Sequence, residues 1–262
     1  MARSVLLSLT FFVTTAAFGA DGFERVLIPV WGSLPGAFGS VWVAQLSSVN
    51  TSSQYANIAL FPSLNCGFGV CPGDAGFGAY AWDTSNYGPF PRGHFLYIAQ
   101  GRADDFQFSL LGYDRSRMNA SFGSQIPVVR ERQFSNRAIY LPNVPVAPGF
   151  RVGLRVYGLI DRPMPVRVRI SGSTLPGRIE SSVQLEPQNA SSNEDVPSFA
   201  QVDISSLLPA DAINSLTHNP FNEVGPPMVT IWVTPNSPDD FIWAFVTLTH
   251  NETQHFTAIG PQ

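Results

Sequence analysis

Four arginines fall where an extended chain would gather them. Arg151 and Arg155 lie in FRVGLRVYGL, and Arg167 and Arg169 in VRVRI. Residues two or four apart on a strand share a face. If the two strands are neighbours, the four guanidiniums form one anion-binding patch, suited to a carboxylate, sulfate or phosphate held bidentately. Like charges set opposite one another weaken a sheet, so such a patch needs compensation. Glu180 and Glu186 on the following strand could supply it internally, the ordinary condition of a solvated sheet face. An acidic sugar, an anionic surface polymer or a partner's carboxylates could supply it from outside.

A second group could stack sugars. Tyr80, Trp82 and Tyr87, with Phe90, sit beside a Gly/Pro-rich loop, and an exposed aromatic face there would suit a pyranose ring. The other tryptophans (31, 42, 232 and 243) alternate within apolar strands and read as core.

Remaining reactive side chains point to little chemistry. Cys66 and Cys71 in CGFGVC read as a local structural disulfide, with two glycines easing the loop. Their spacing is not C-x-x-C, and no second pair completes a zinc site. His250 and His255 flank a turn and would face each other, but no third ligand stands at metal spacing. Asp104-Asp105, Glu194-Asp195 and Asp239-Asp240 are acidic pairs at loop or strand edges, without the calcium-loop pattern. No G-x-S-x-G elbow accompanies the four histidines. No catalytic residue, metal or cofactor is therefore assigned. N-x-S/T sequons begin at Asn50, Asn119, Asn189 and Asn251 and matter only in a host that glycosylates them.

The elements that position these groups read as strands. With 22 glycines, 22 prolines and 12% aromatics in 262 residues, the chain suggests many short strands joined by many turns. Alternation bounded by turn residues marks strands at 25–30, 41–49, 55–61, 79–82, 94–99 and 106–113. Further strands follow at 137–141, 150–159, 166–170, 178–185, 199–204, 229–234, 241–250 and 256–259. GSLPGAFGS reads as a loop, and a short helix is expected near 209–216. Val166, Val168 and Ile170 should face inward with Arg167 and Arg169 outward. Phe241 to Leu248 is apolar on both faces and belongs in the middle of its sheet.

At an offset of 108 residues, Trp42, Leu46, Ile58 and Leu60 fall on Phe150, Leu154, Val166 and Val168. The repeat suggests two consecutive sandwich modules, 21–122 and 123–262. They follow a secretory signal peptide over residues 1–20, with Arg3, an apolar run and small residues at 17 and 19. No later stretch is apolar enough to span a membrane.

The stretches IPVWGSLPGAFGSVWVAQLSSVN, FGSQIPVVRERQF, FRVGLRVYGL and FIWAFVTLTHNETQH resemble a family of uncharacterised exported bacterial proteins built from immunoglobulin-like β-sandwich modules. The resemblance implies two immunoglobulin-like antiparallel sandwiches at the cell exterior. It carries no reaction and no catalytic residues.

Charge refines the choice of partner. All fifteen basic residues are arginine. Residues 101–178 hold twelve arginines and five acids, whereas 179–262 hold ten acids and no arginine. A net charge of −4 argues against nucleic acid as the main partner. The expected role is an exported, non-enzymatic surface, adhesion or scaffold module, secreted or at the periplasm or cell surface. Its partner would be a surface glycan or another exported protein. The alternatives are a carbohydrate-binding module and a hydrolase with a dispersed carboxylate pair.

Overall fold

The computed structural model describes residues 22–36, 39–59, 73–74, 78–81, 90–117, 123–173, 175, 177–188, 196–212 and 227–262. Within them the chain is an all-β, antiparallel sandwich structure. The N-terminal strands are β1 Phe23–Ile28, β2 Gly32–Pro35, β3 Val41–Asn50, β4 Ala56–Ala59, β5 Gly73–Asp74 and β6 Ala79–Ala81. Then come β7 His94–Ala99, β8 Phe106–Asp114, β9 Ser124–Ile126 and β10 Val129–Arg130. The C-terminal strands are β11 Ile139–Pro145, β12 Phe150–Gly158, β13 Met164–Ser171, β14 Ile179–Leu185, β15 Ser198–Asp203, β16 Met228–Pro235, β17 Ile242–His250 and β18 Phe256–Ile259.

Four sheets result. β10-β1-β7-β4-β5 packs on β2-β3-β8-β9, where β6 shares the outer edge of β3 with β2. β11-β16-β13-β14 packs on β15-β12-β17-β18. The strand order recurs. β1-β7-β4-β5 corresponds to β11-β16-β13-β14, and β6-β3-β8-β9 to β15-β12-β17-β18, strand for strand in chain order. Leu46 and Leu154, and likewise Ile58 and Val166, occupy matching strands and are fully buried.

Alternation explains the C-terminal core. In β13, Met164, Val166, Val168 and Ile170 are buried while Arg167, Arg169 and Ser171 are half-exposed. They meet Leu154 and Val156 of β12 and Ala244 and Val246 of β17 in one hydrophobic cluster. β17 is indeed interior, between β12 and β18, and Ile242 to Val246 are buried on both faces. Its second face has a separate cause. Trp243 and Phe245, with Tyr157 and Leu159, belong to the N-terminal cluster together with Leu27, Phe95 and Phe134. The two pairs of sheets are thus joined by apolar packing.

A buried ion pair lies at that junction. Arg25 is 9% exposed and Glu131 3%. Arg25 Nε donates to Glu131 Oε2 at 3.1 Å, Nη2 to Oε1 at 2.9 Å, and Nη1 to the Leu159 carbonyl at 3.1 Å. The guanidinium also lies 5.0 Å from the centre of the Phe95 ring. Tyr157 Oη donates to the Pro29 carbonyl at 2.8 Å, and burial pushes its phenol pKa up. Gly93 faces Tyr157 with φ of 86°, where a Cβ would stand 3.0 Å from the ring, so a side chain there is both strained and crowded.

Two readings need correction. GSLPGAFGS is not wholly loop: Gly32–Pro35 pairs with Val41 to Ala44, because a Gly/Pro-containing edge needs only one partner strand. The boundary at 122/123 would cut β9 from β8 and β10 from β1, so the N-terminal sheets run through Arg130. A one-turn helix precedes the expected one. Ile204–Leu207 forms one turn because the Asp203 carboxylate caps the Ser205 amide at 2.8 Å. Residues 210–212 are helical, inside the span where a short helix was expected, while 213–226 lie outside the described residues.

Candidate functional site

The four arginines do not form one patch. β12 and β13 lie in different sheets, and their arginine-bearing faces point away from the core that the two strands share. The reason is topological: the chain crosses from one sheet to the other between β12 and β13. Arg167 and Arg169 share Glu180, with Nε to carboxylate distances of 3.5 and 2.7 Å, so compensation there is internal. Arg151 Nη2 donates to Gln254 Oε1 at 2.5 Å.

Arg155 is different. It lies on the β12 face turned toward the N-terminal sheets, between Phe245 of β17 and Gln201 of β15. Nη1 donates to the Pro91 carbonyl at 3.3 Å and to Tyr157 Oη at 3.4 Å, both at the long limit of a hydrogen bond. Its guanidinium is 5.7 Å from the Phe199 ring centre. Nε is buried with no hydrogen-bond partner, and no carboxylate pairs with the group among the described residues.

Arg155 lines a cavity of about 290 Å³ between the β2-β3-β8-β9 and β15-β12-β17-β18 sheets. Trp42, Leu34, Val43, Phe245 and Phe256 give it an apolar lining. Trp42 and Phe256 are tilted together at 5.5 Å. Gln201, Thr247 and Thr249 add polar groups beside Arg155. Thr247 Oγ1 donates to the Gly153 carbonyl at 3.1 Å, which leaves its oxygen free to accept. Among the described residues lining the cavity, Arg155 is the one ionisable group. The site exists because the outward face of β17 changes from Trp243 and Phe245, which pack into the N-terminal cluster, to Thr247 and Thr249, which do not. A wider hollow of about 560 Å³ opens between β14 and β15, lined partly by Arg92, Glu186 and Gln201.

The other expected groups are scattered. Tyr80 is half-buried against the N-terminal core, opposite Ser48, which removes it from a free stacking face. Trp82 and Tyr87 lie outside the described residues, as do Cys66, Cys71, Glu194, Asp195, His218, Asn119 and Asn189. His250 and His255 are paired across the last turn, with the His250 amide donating to the His255 carbonyl at 2.9 Å. His250 Nδ1 accepts from the Thr253 amide at 3.2 Å. His94 is fully buried and stacked on Phe90. The described acidic pairs meet arginines: Asp104 with Arg132, Asp105 with Arg102 at 2.8 Å, Asp240 with Arg162 at 2.6 Å. The Arg132 hydrogen bond holds the Asp104 carboxyl below its usual pKa. Asn50 is buried, its amide donating to the Gln54 carbonyl at 2.7 Å.

Trp232 corrects the sequence reading in the opposite direction. It is not core: Val229, Ile231 and Val233 point inward, and Trp232 points outward, 6.1 Å from the ring of Tyr140. Tyr140, Trp232, Arg169 and Glu180 form one cross-strand row on that face.

No family model matches the chain, and neither a curated protein nor a solved structure is detectably similar to it.

Proposed function

We propose that the chain is an exported, non-enzymatic protein that acts by binding: a surface, adhesion or scaffold module built from two sandwiches of matching strand order. Export rests on the leader-like residues 1–20. The observation that carries the binding role is the cavity between the sandwiches. Its apolar wall, hydroxyls, amide and single guanidinium suit recognition of a small ligand or a projecting side chain. General acid–base chemistry needs a titratable pair facing one substrate, and Arg155 alone does not supply one.

The test is a ligand-observed NMR screen of small sugars, acids, amides and peptides against the protein and its Gln201→Trp variant. Gln201 is exposed at the rim, so the indole should occlude the cavity without disturbing the core. At least one compound should bind the protein and fail to bind the variant. A screen with no cavity-dependent binder would defeat the reading.

A second reading, carbohydrate binding, is favoured by the outward row of Tyr140, Trp232 and Arg169. Tyr140 is 47% exposed, and its ring plane stands at 75° to that of Trp232. The row therefore offers one stacking ring with a cation two strands away. Polysaccharide pull-down lost in Tyr140→Ala, with the melting temperature unchanged, would support it. Retention equal to the parent protein would dismiss it.

A further inference from the structure

We infer that the cavity between the sandwiches is a site for a small apolar carboxylate, with its apolar body against Trp42 and Phe256 and its carboxylate on Arg155; this rests on the binding role proposed above.

The argument begins with charge. Arg25, Arg102, Arg117, Arg130, Arg132, Arg162, Arg167 and Arg169 each have a carboxylate within 4.0 Å. Arg92, Arg115, Arg137 and Arg178 are exposed and solvated. Arg151 and Arg155 belong to neither set; Arg151 is held by Gln254, and Arg155 is not so held. It is half-buried, pairs with no described carboxylate, makes two long hydrogen bonds, and keeps a buried Nε without a partner. A guanidinium removed from water needs an acceptor for its donors and a negative charge nearby. Arg25, at the same junction, shows the satisfied arrangement, with both carboxylate oxygens of Glu131 bound. A modest rotation of the Arg155 guanidinium toward the cavity would offer Nε and one Nη to a ligand carboxylate in the same bidentate form.

The rest of the lining selects among carboxylates. A hydroxyl-rich acid, such as a uronic acid, would bury several hydroxyls against Leu34, Val43, Phe245 and Phe256 with only Gln201, Thr247 and Thr249 to meet them, and each unmet hydroxyl is costly. An aryl or branched-alkyl acid would leave none unmet. The cavity of about 290 Å³ sets the size at roughly that of one ring with a short acidic arm.

Phenylacetate is the probe, with phenylacetamide as its neutral isostere and glucuronate as the hydroxyl-rich acid. Affinities are measured by calorimetry and saturation-transfer NMR on the purified protein. Phenylacetate should bind saturably and about 10- to 100-fold more tightly than phenylacetamide, the ratio expected for hydrogen bonds to a charged acceptor. Arg155→Gln should bring the two ligands to equal affinity, and Gln201→Trp should abolish both. The acid-to-amide ratio in the unmodified protein needs no variant, so it decides the matter even if Arg155→Gln folds poorly. Equal binding of acid and amide, both lost in Gln201→Trp, would overturn the carboxylate assignment and leave a binding cavity standing. Glucuronate binding more tightly than phenylacetate would overturn it in favour of an acidic sugar. Absence of saturable binding by all three would overturn it outright, and the wider screen above would then judge the binding role separately.

Discussion

Arg25 and Arg155 lie on the same apolar junction and differ in whether the fold gives them a carboxylate. Removing one partner of a buried pair leaves the other charge stranded, which typically costs about 3–5 kcal/mol. Glu131→Gln should therefore lower the unfolding free energy by about that amount in urea titration, and Glu180→Gln, on an exposed face, by less than about 1 kcal/mol. Comparable losses would show that the junction pair is not energetically buried. Two carboxylates should give opposite pH signatures. Burial works against ionised Asp114, but the Ser116 hydroxyl, the Val41 and Ser116 amides and Arg117 outweigh it and hold its pKa below 3.8. Its contribution is complete above that value and disappears as pH falls through the folded-state pKa. For Glu24, burial outweighs Arg132 and Arg130 and raises the pKa above 4.5, so its contribution is complete below 4.5 and disappears as pH rises through the folded value. Asp114→Asn should flatten the acid limb of stability against pH, and Glu24→Gln the decline on the other side of 4.5. The same slope in parent and variants would contradict both assignments. Of these pairings, that of Glu180 with Arg167 and Arg169 was legible in the sequence and the others were not. Arg155 and Arg167 have the same residue type and the same alternation, and only the sheet to which each strand belongs decides that one meets Glu180 and the other a cavity.

Strands with their own hydrophobic pattern were readable, and those defined by a neighbour were not. His94–Ala99 and Phe256–Ile259 were recovered at their true limits, and β13 showed the expected inward valines. β2, β9 and β10, of two to four residues, contain Gly, Pro, Ser or Arg and are extended because β3, β8 and β1 hold them. β11 contains a register shift between Leu141 and Val144, with Asn143 at φ of 55°, a bulge that no period-two count can place. Trp232 was misread because its strand has apolar residues on both parities, and burial alone separates them. The distinction can be measured. Ile231→Ala removes a fully buried side chain at a cost of about 2–5 kcal/mol. Trp232→Ala should cost less than about 1 kcal/mol, the usual value of a cross-strand surface pair. If the tryptophan variant proves the less stable by denaturant titration, the assignment of faces in β16 is wrong.

At the scale of the whole molecule, the repeated strand order and the shared apolar junction pull in different directions. Repetition suggests units able to fold alone, yet the outer face of the β15-β12-β17-β18 sheet carries Tyr157, Phe199, Trp243 and Phe245, which pack into the N-terminal cluster. An aromatic side chain buries about 150–250 Å², so stripping that cover would expose a patch at or above the few hundred Å² that soluble monomers tolerate. The sequence signalled this through the two-sided apolarity of Phe241 to Leu248, but could not say whether the second face met a neighbouring strand or another sandwich. A fragment of residues 136–262 should consequently bind a hydrophobic dye and self-associate in sedimentation, while the intact protein melts in one calorimetric transition. Mixing the fragment with residues 21–135 should suppress both effects, because the same junction, with Arg25 donating to the Leu159 carbonyl at its centre, can re-form between chains. A fragment that stays monomeric, ignores the dye and matches the parent's stability would mean that the junction is incidental. The cavity beside it would then be held by far weaker forces than its position between two interlocked pairs of sheets implies.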